Sequence, residues 1–425
     1  MKTEVVLNGS TAANANYVGW SPRPAKVRLS DTTGATGPVT VTLRNQRTNV
    51  GGQVVFSTAA APTPASTLQL TLPLNGSPVD FFVAGKFGSP STNDKDAAIE
   101  VIDGAGHTLS LLTLMVRIRK DAAKLTTTER DRFLTALATL NNRGMGRFTD
   151  ILTMHTQPTL DESHGSGPPQ FPQDPGFRDG FLPWHRAYLL DLERELQGID
   201  ISVALPYWRF DKPAPQLFTA DFLGEPRTGS SVRFAASNPL HNWTVNSRVG
   251  FQRDPRFSFA TRGAQVASEA TTLSLGNTFS KFTAMERDPH NLAHGNFSGP
   301  INNPATAPGD PLFFLLHANV DRLWAQWQFL NKLFDPAKTN SYSFRGSAGS
   351  SGATRVGHNL ADTLWPWNGN HTFPRPTFTP PSSGMPASTI ANAPPITPAV
   401  RDMLDYQGHV TAGLWHGFDY DDVIF

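Results

Sequence analysis

The stretch Asp310–Trp327, DPLFFLLHANVDRLWAQW, decides how this chain is read. Asp310 suits a capping position, and Pro311, with its fixed φ and missing N–H, suits the first turn of a helix. The residues that follow are apolar on nearly every side, the pattern of a helix buried in a large core. Into that run are set His317, Asn319, Asp321 and Arg322. An imidazole and an ion pair inside an apolar helix are costly unless something binds or pairs them. The stretch therefore predicts a core helix that carries a site.

Three other segments place histidine in the same way. In FLPWHRAYLLDLEREL, Pro183 sits at a first helical turn, and His185, Tyr188, Leu189, Leu192 and Leu196 share a face. In ERDPHNLAHGNFSG, Pro289 opens a helix that puts His290 and His294 on one face, four residues apart. Between Arg147 and Met154 a further helix is expected, with Phe148, Ile151, Leu152 and His155 at i, i+3, i+4 and i+7. His164 lies in the Gly- and Pro-rich loop that follows. Singly, each helical histidine reads as a satisfied core residue, and His290 with His294 could be a structural zinc pair. Six such histidines in a chain that has only 12 point to one cluster. Neutral imidazoles meeting in a dry core leave lone pairs unsatisfied, and a metal resolves that. The chain has no cysteine, so thiolate sites and disulfides are excluded. An all-imidazole site favours copper, with zinc second. Ligands from paired helices suggest two metals facing one another in a four-helix bundle.

Phe181–Leu189 (FLPWHRAYL), His290–His294 (HNLAH) and Asp310–Trp324 (DPLFFLLHANVDRLW) resemble the tyrosinase and polyphenol oxidase family of coupled binuclear copper proteins. The resemblance runs from about Thr126 to Phe425. It implies one copper on His155, His164 and His185, a second on His290, His294 and His317, and O2 bound between them. The activity it implies is ortho-hydroxylation of monophenols and oxidation of o-diphenols to o-quinones. The alternatives are a catechol or o-aminophenol oxidase without monophenolase activity, and a hemocyanin-like dioxygen carrier. Phe418-Asp419-Tyr420 is similar to the aromatic-x-Tyr signature that closes the family's catalytic domain.

The chain departs from the family pattern at one ligand. Most relatives carry the second histidine of the first copper nine residues before the position of His185, and here that residue is Gly176. His164, in HGSG, takes the role if Gly167–Gly180 is an insertion. Without cysteine there is no thioether at this ligand, as in the thioether-free bacterial members. The resemblance also implies that Glu286 and Asn291 hold a water that takes the phenol proton; a phenol with pKa ~10 must lose it to coordinate copper. Gly295 and Pro304 are expected at the substrate entrance. Asp321 and Arg322 are expected to pair or to orient neighbouring ligand rings.

The remainder frames this site. Residues 1–122 alternate with period two, as in Val39-Val41-Leu43, Leu68-Leu70-Leu72-Leu74 and Leu112-Leu114-Val116-Ile118, with turn clusters between. About seven strands predict an antiparallel β-sandwich of immunoglobulin-like outline, its role open. Thr126-Thr127-Thr128-Glu129 is a capping box that opens the mainly helical domain, 123–425. Within it, 338–398 reads as a Pro/Gly/Ser-rich strap, and 396–407 as a short helix. With 36 basic and 35 acidic residues the net charge is +1, so no long-range field draws nucleic acid or an anionic membrane. No apolar run reaches the ~18 residues of a membrane span and none resembles a signal peptide, which makes a soluble, cytoplasmic protein the default expectation.

Overall fold

The structure, a computed structural model, describes residues 1–46, 51–59, 63–142, 147–156, 180–343, 345, 359–362, 364, 367, 399–411 and 417–425. His164, the insertion at 167–180 save its last residue, and most of the strap lie outside them. The chain divides into two compact units: Met1–Arg119 with Gln407–Phe425, and Lys120–Tyr406.

In the first unit the period-two segments form nine strands among the described residues: β1 (Lys2–Leu7), β2 (Tyr17–Val18), β3 (Arg23–Asp31), β4 (Val39–Asn45), β5 (Val54–Ser57), β6 (Thr67–Leu72), β7 (Val79–Gly85), β8 (Ala97–Ile102) and β9 (Thr108–Val116). Two more strands appear than the turn clusters suggested, and β2, at two residues, is too short to show alternation. The strands form two sheets, ordered β1-β3-β7-β5 and β2-β9-β8-β4-β6. Neighbours are antiparallel except β2 and β9, where Tyr17 pairs in parallel with Met115. Alternate side chains of both sheets, among them Val27, Leu29, Val41, Leu43, Phe56, Leu72, Phe81, Ile99 and Val116, meet in one apolar core. Gly85 is required where β7 passes close to its neighbours: a Cβ there would lie 2.4 Å from Val116 Cγ1.

The closing segment belongs to this unit, not to the helical one with which its sequence groups it. Hydrogen bonds give the reason. Trp20 donates its backbone N–H to Asp419 Oδ2 (2.9 Å) and its indole N–H to the Tyr420 carbonyl (2.8 Å). The Arg119 guanidinium lies 3.9 Å from the Phe418 ring centroid and donates to the Tyr420 hydroxyl at 2.9 Å.

The second unit is helical where it matters for chemistry. α1 (Thr127–Asn141) opens on the predicted capping box, with Thr126 and Glu129 satisfying each other's backbone N–H groups. α2 (Arg147–Thr156), α3 (Phe181–Gln197) and α7 (Leu312–Asn331) follow the spacings read from the sequence. The short helices α4 (Glu269–Leu273), α5 (Phe279–Phe282) and α6 (Leu292–Gly295) lie between them. The helix expected at Pro289 is split. Asp288 is extended (φ −145°, ψ 112°), so a separate turn carries Glu286 while Pro289 starts the stretch that runs into α6. The C-terminal helix spans Val400–Leu404, shorter than the 396–407 expected. Of the strap, Leu364 and Trp367 are buried, and Trp367 donates to Asp191 Oδ2 at 3.2 Å. No helix among the described residues is long and apolar enough to cross a membrane.

Candidate metal centre

α7 is buried along most of its length, from Leu312 to Ala325, which is why its polar residues must find partners. Its start is fixed by Asp310, whose Oδ1 accepts from the Leu312 N–H at 2.9 Å. Arg253, fully buried, grips the same carboxylate with two N–H groups (Nε to Oδ2 2.8 Å) and donates Nη1 to the Leu223 carbonyl at 2.7 Å. This paired, hydrogen-bonded arrangement is what makes a buried carboxylate tolerable at a helix start.

Asp321 and Arg322 were expected to pair with one another or to orient ligand rings. Each instead reaches a different element. Asp321 Oδ1 accepts from Arg186 Nε on α3 at 2.6 Å, and Arg322 Nη1 donates to Glu269 Oε2 on α4 at 2.9 Å. Consecutive residues on a helix project about 100° apart, so neighbours in sequence are poorly placed to pair. Arg186 also donates to Gln328 Oε1 (2.9 Å) and the Met403 carbonyl (2.6 Å), its guanidinium 3.7 Å from the Trp324 ring. Burial works against ionisation of Glu269, but Arg322 and Arg209 outweigh it and hold its carboxyl below the usual range. The two pairs tie α7 to α3 and to α4.

That frame holds His155 (α2), His185 (α3), His290 and His294 (at α6) and His317 (α7) together. His155, His185, His290 and His317 are buried, and His294 is partly exposed. Two groups form: His155, His185 and His317, and His290, His294 and His317, with the ligand atoms of each within 4.8 Å of one another. Five of the six histidines singled out by the sequence thus converge, and the sixth, His164, lies outside the described residues. His185 and His317 stack with ring centroids 4.3 Å apart.

The hydrogen bonds set the tautomers. His185 Nδ1 donates to the Phe181 carbonyl (2.8 Å), His290 Nδ1 to that of Glu286 (3.1 Å) and His294 Nδ1 to that of Ile301 (2.7 Å). A carbonyl can only accept, so each Nδ1 carries the proton and each Nε2 is left with a bare lone pair. His290 Nε2 and His294 Nε2 lie 3.3 and 3.1 Å from His317 Nε2. One N–H on His317 can satisfy only one of those two lone pairs. Protonation does not rescue the other. Burial, then the nearby imidazoles, hold His317 well below its usual pKa of 6.5, and burial lowers His294 to about 4. Neutral nitrogens converging on one point, those of His290 and His294 oriented by backbone carbonyls, fit a bound cation.

The chain around the second group is built to deliver these carbonyls. Gly299 has φ +96°, and a Cβ there would come 2.2 Å from the Gln252 carbonyl, so only glycine lets the loop turn to present Ile301. Glu286 is buried, whereas Asn291 is exposed. Gly295 is open: a Cβ there would meet nothing nearer than Asn302 Oδ1 at 4.0 Å. Pro304 is exposed. Two residues not singled out from the sequence line the histidines. The Phe313 ring lies 4.8 Å from His155 and 4.2 Å from His317, and the Phe181 ring 4.5 Å from His185 and 4.7 Å from His290. The signal was present: both sit four residues before a histidine, on the same helix face.

A buried, all-imidazole centre on paired helices, without thiolate, is that of a helical binuclear metalloprotein. Residues 145–330 match the family model for the common central domain of tyrosinase. The tyrosinase of Streptomyces glaucescens is 34% identical over 242 residues, covering 50% of this chain and 82% of the relative. That of Streptomyces antibioticus is 32% identical over 243 residues, with the same coverage, 50% and 82%. Hemocyanin 2 of Megathura crenulata is 29% identical over 238 residues, 51% of this chain and 6% of its own length. Among solved structures, a functional unit from Octopus hemocyanin aligns with TM-score 0.47 at 19% identity, covering 73% of this chain and 69% of that one. The chain belongs to the tyrosinase family. It is a tyrosinase-like oxidase with a binuclear copper cofactor, and its histidine groups suit those ions.

Proposed function

We propose that the protein hydroxylates monophenols at the ortho position and oxidises o-diphenols to o-quinones. One monophenol and one O2 give one quinone and one water; two diphenols and one O2 give two quinones and two waters. The observation that carries this reading is the convergence of His290, His294 and His317 through Nε2, with Nδ1 of His290 and His294 held by carbonyls. In the proposal these three hold one copper, and His155, His164 and His185 the other. The copper pair supplies the two-electron exchange with O2.

The protein's own part is positional and acid–base. Phe313 and Phe181 pack against the imidazoles and keep water from their inner faces. Glu286 and Asn291 take the phenol proton through a water, which a substrate of pKa ~10 requires before it can bind a metal. Gly295 and Pro304 border the entrance, where the missing side chain at Gly295 leaves room for a ring. Asp321 and Arg322 act only as supports, through Arg186 and Glu269. The same reading makes the helical unit, Lys120–Tyr406, an oxidase domain built on a four-helix core from α2, α3, α6 and α7. It makes 1–122 a separate sandwich of immunoglobulin-like outline.

Oxygen uptake by copper-loaded protein with a monophenol and with the matching catechol tests the proton step. Glu286→Gln and Asn291→Ala are expected to lower monophenol turnover by ~10²-fold, the usual scale of general-base loss, and to spare much of the catechol rate. Wild type that oxidises only the catechol would reduce the function to a catechol oxidase.

A further inference from the structure

Of the five converging histidines only His294 reaches solvent, so its edge is where a substrate meets the group. Gly295 puts no side chain there. Two polar side chains flank it instead. Arg256 follows the short strand Asp254–Pro255, which pairs with Phe297–Ser298, and its backbone N–H donates to the Asn296 carbonyl at 2.8 Å. That register lays Arg256 beside the chain leaving His294, and its Nη1 reaches the Gly295 carbonyl at 3.5 Å. The guanidinium is exposed, and among the described residues no carboxylate lies within ion-pair distance of it. The nearest carboxylate in sequence, Asp254, faces Ser298 Oγ and the Gly229 N–H, each at 3.4 Å. On the other side stands Asn302, exposed, following the residue whose carbonyl orients His294. Its Oδ1 is the atom nearest to a Cβ on Gly295, and its carboxamide has no hydrogen-bond partner among the described residues.

We infer that Arg256 and Asn302 form a binding site for an anionic substituent at the mouth of the metal centre, and that the enzyme prefers phenols and catechols bearing a carboxylate. This rests on the oxidase reading above. A guanidinium donates, and the exposed Asn302 carboxamide can donate once it turns Nδ2 in place of Oδ1 toward Gly295; together they match a carboxylate displaced to one side of the ring. In this proposal both groups hold the substituent and not the reacting oxygens, so the contact is made in ground and transition state alike. It therefore acts on KM more than on kcat.

The test is oxygen uptake by the full, copper-loaded chain on 3,4-dihydroxyphenylpropionate, dopamine and 4-methylcatechol, which carry an anion, a cation and no charge. Wild type should show the highest kcat/KM with the anion, a preference that shrinks as salt rises. Arg256→Ala should raise KM for the anion by roughly three- to five-fold, the scale of an exposed charge pair. Arg256→Glu should reverse the order of anion and cation, and Asn302→Ala should raise KM for the anion by a smaller factor. All three variants lie at exposed positions and should fold as wild type. Arg130→Glu, on α1, should leave the anion-to-cation ratio as it is in wild type. Turnover of 4-methylcatechol with an anion-to-cation ratio that Arg256→Glu does not move overturns this inference and leaves the oxidase reading standing. No turnover of 4-methylcatechol by wild type overturns both.

Discussion

The two units bury their interiors in opposite ways. The core shared by the two sheets of the first is an apolar cluster running from Val5 to Ile118. Buried polar residues of that unit, such as Arg119 and Asp419, join it to the returning C-terminal segment. The interior around α7 holds four buried histidines and the pairs Arg186–Asp321 and Arg253–Asp310, whose side chains are at most 1% exposed. An apolar core stabilises without direction, and its members can be exchanged for others of similar volume. A buried polar set must be completed group by group, because each unmet partner is costly. Chemistry therefore concentrates in the second unit, where polar residues are retained at positions that simple packing would fill with leucine.

The largest expected effect is at His317, common to both histidine groups. His317→Ala should abolish oxidase activity and lower copper content, a loss beyond the ~10–100-fold typical of outer partners. Copper analysis beside an oxygen-uptake assay checks it. Asp321→Ala leaves Arg186 charged and buried, and should destabilise by about 3–5 kcal/mol in denaturant titration. Leu43→Ala, in the sheet core, should cost about 2–5 kcal/mol while leaving the copper spectrum unchanged. If Leu43→Ala alters that spectrum, the contrast between the two interiors fails.

A smaller effect sharpens the contrast by pH. The folded state lowers His294 to about 4 and His317 well below 6.5, so the unfolded chain binds protons that the fold refuses. Copper-free protein should therefore keep this stability above pH ~6.5 and lose it progressively as pH falls toward 4. Bound copper also competes with protons for these nitrogens, so acid should release it. Thermal melts of copper-free protein between pH 7 and 4 measure the effect. Melting temperatures independent of pH over that range would mean that the histidines are not buried neutral.

How much of this was legible beforehand follows the same divide. Alternation at Val41 and Leu43 predicted the strands because a half-buried sheet imposes period two directly on sequence. The spacing of His290 and His294, and the face shared by His185 with Tyr188, placed metal-seeking side chains because a helix imposes its own period. Partners across elements were not legible. Arg186 and Glu269 are 135 and 53 residues from the groups they hold, and no local pattern names them. Nor did the sequence show that Asp419 returns to Trp20, almost 400 residues away, through a single backbone N–H. The split at Asp288 escaped as well, since a proline reads as a helix start whether or not the preceding turn is continuous.

The central claim is that the histidines hold two coppers that meet O2. The most direct measurement is copper content together with the near-ultraviolet spectrum of the reduced, copper-loaded protein on exposure to O2. The account predicts two coppers per chain and a new intense near-ultraviolet band that disappears when O2 is removed. One zinc per chain, or two coppers without that band, would contradict it.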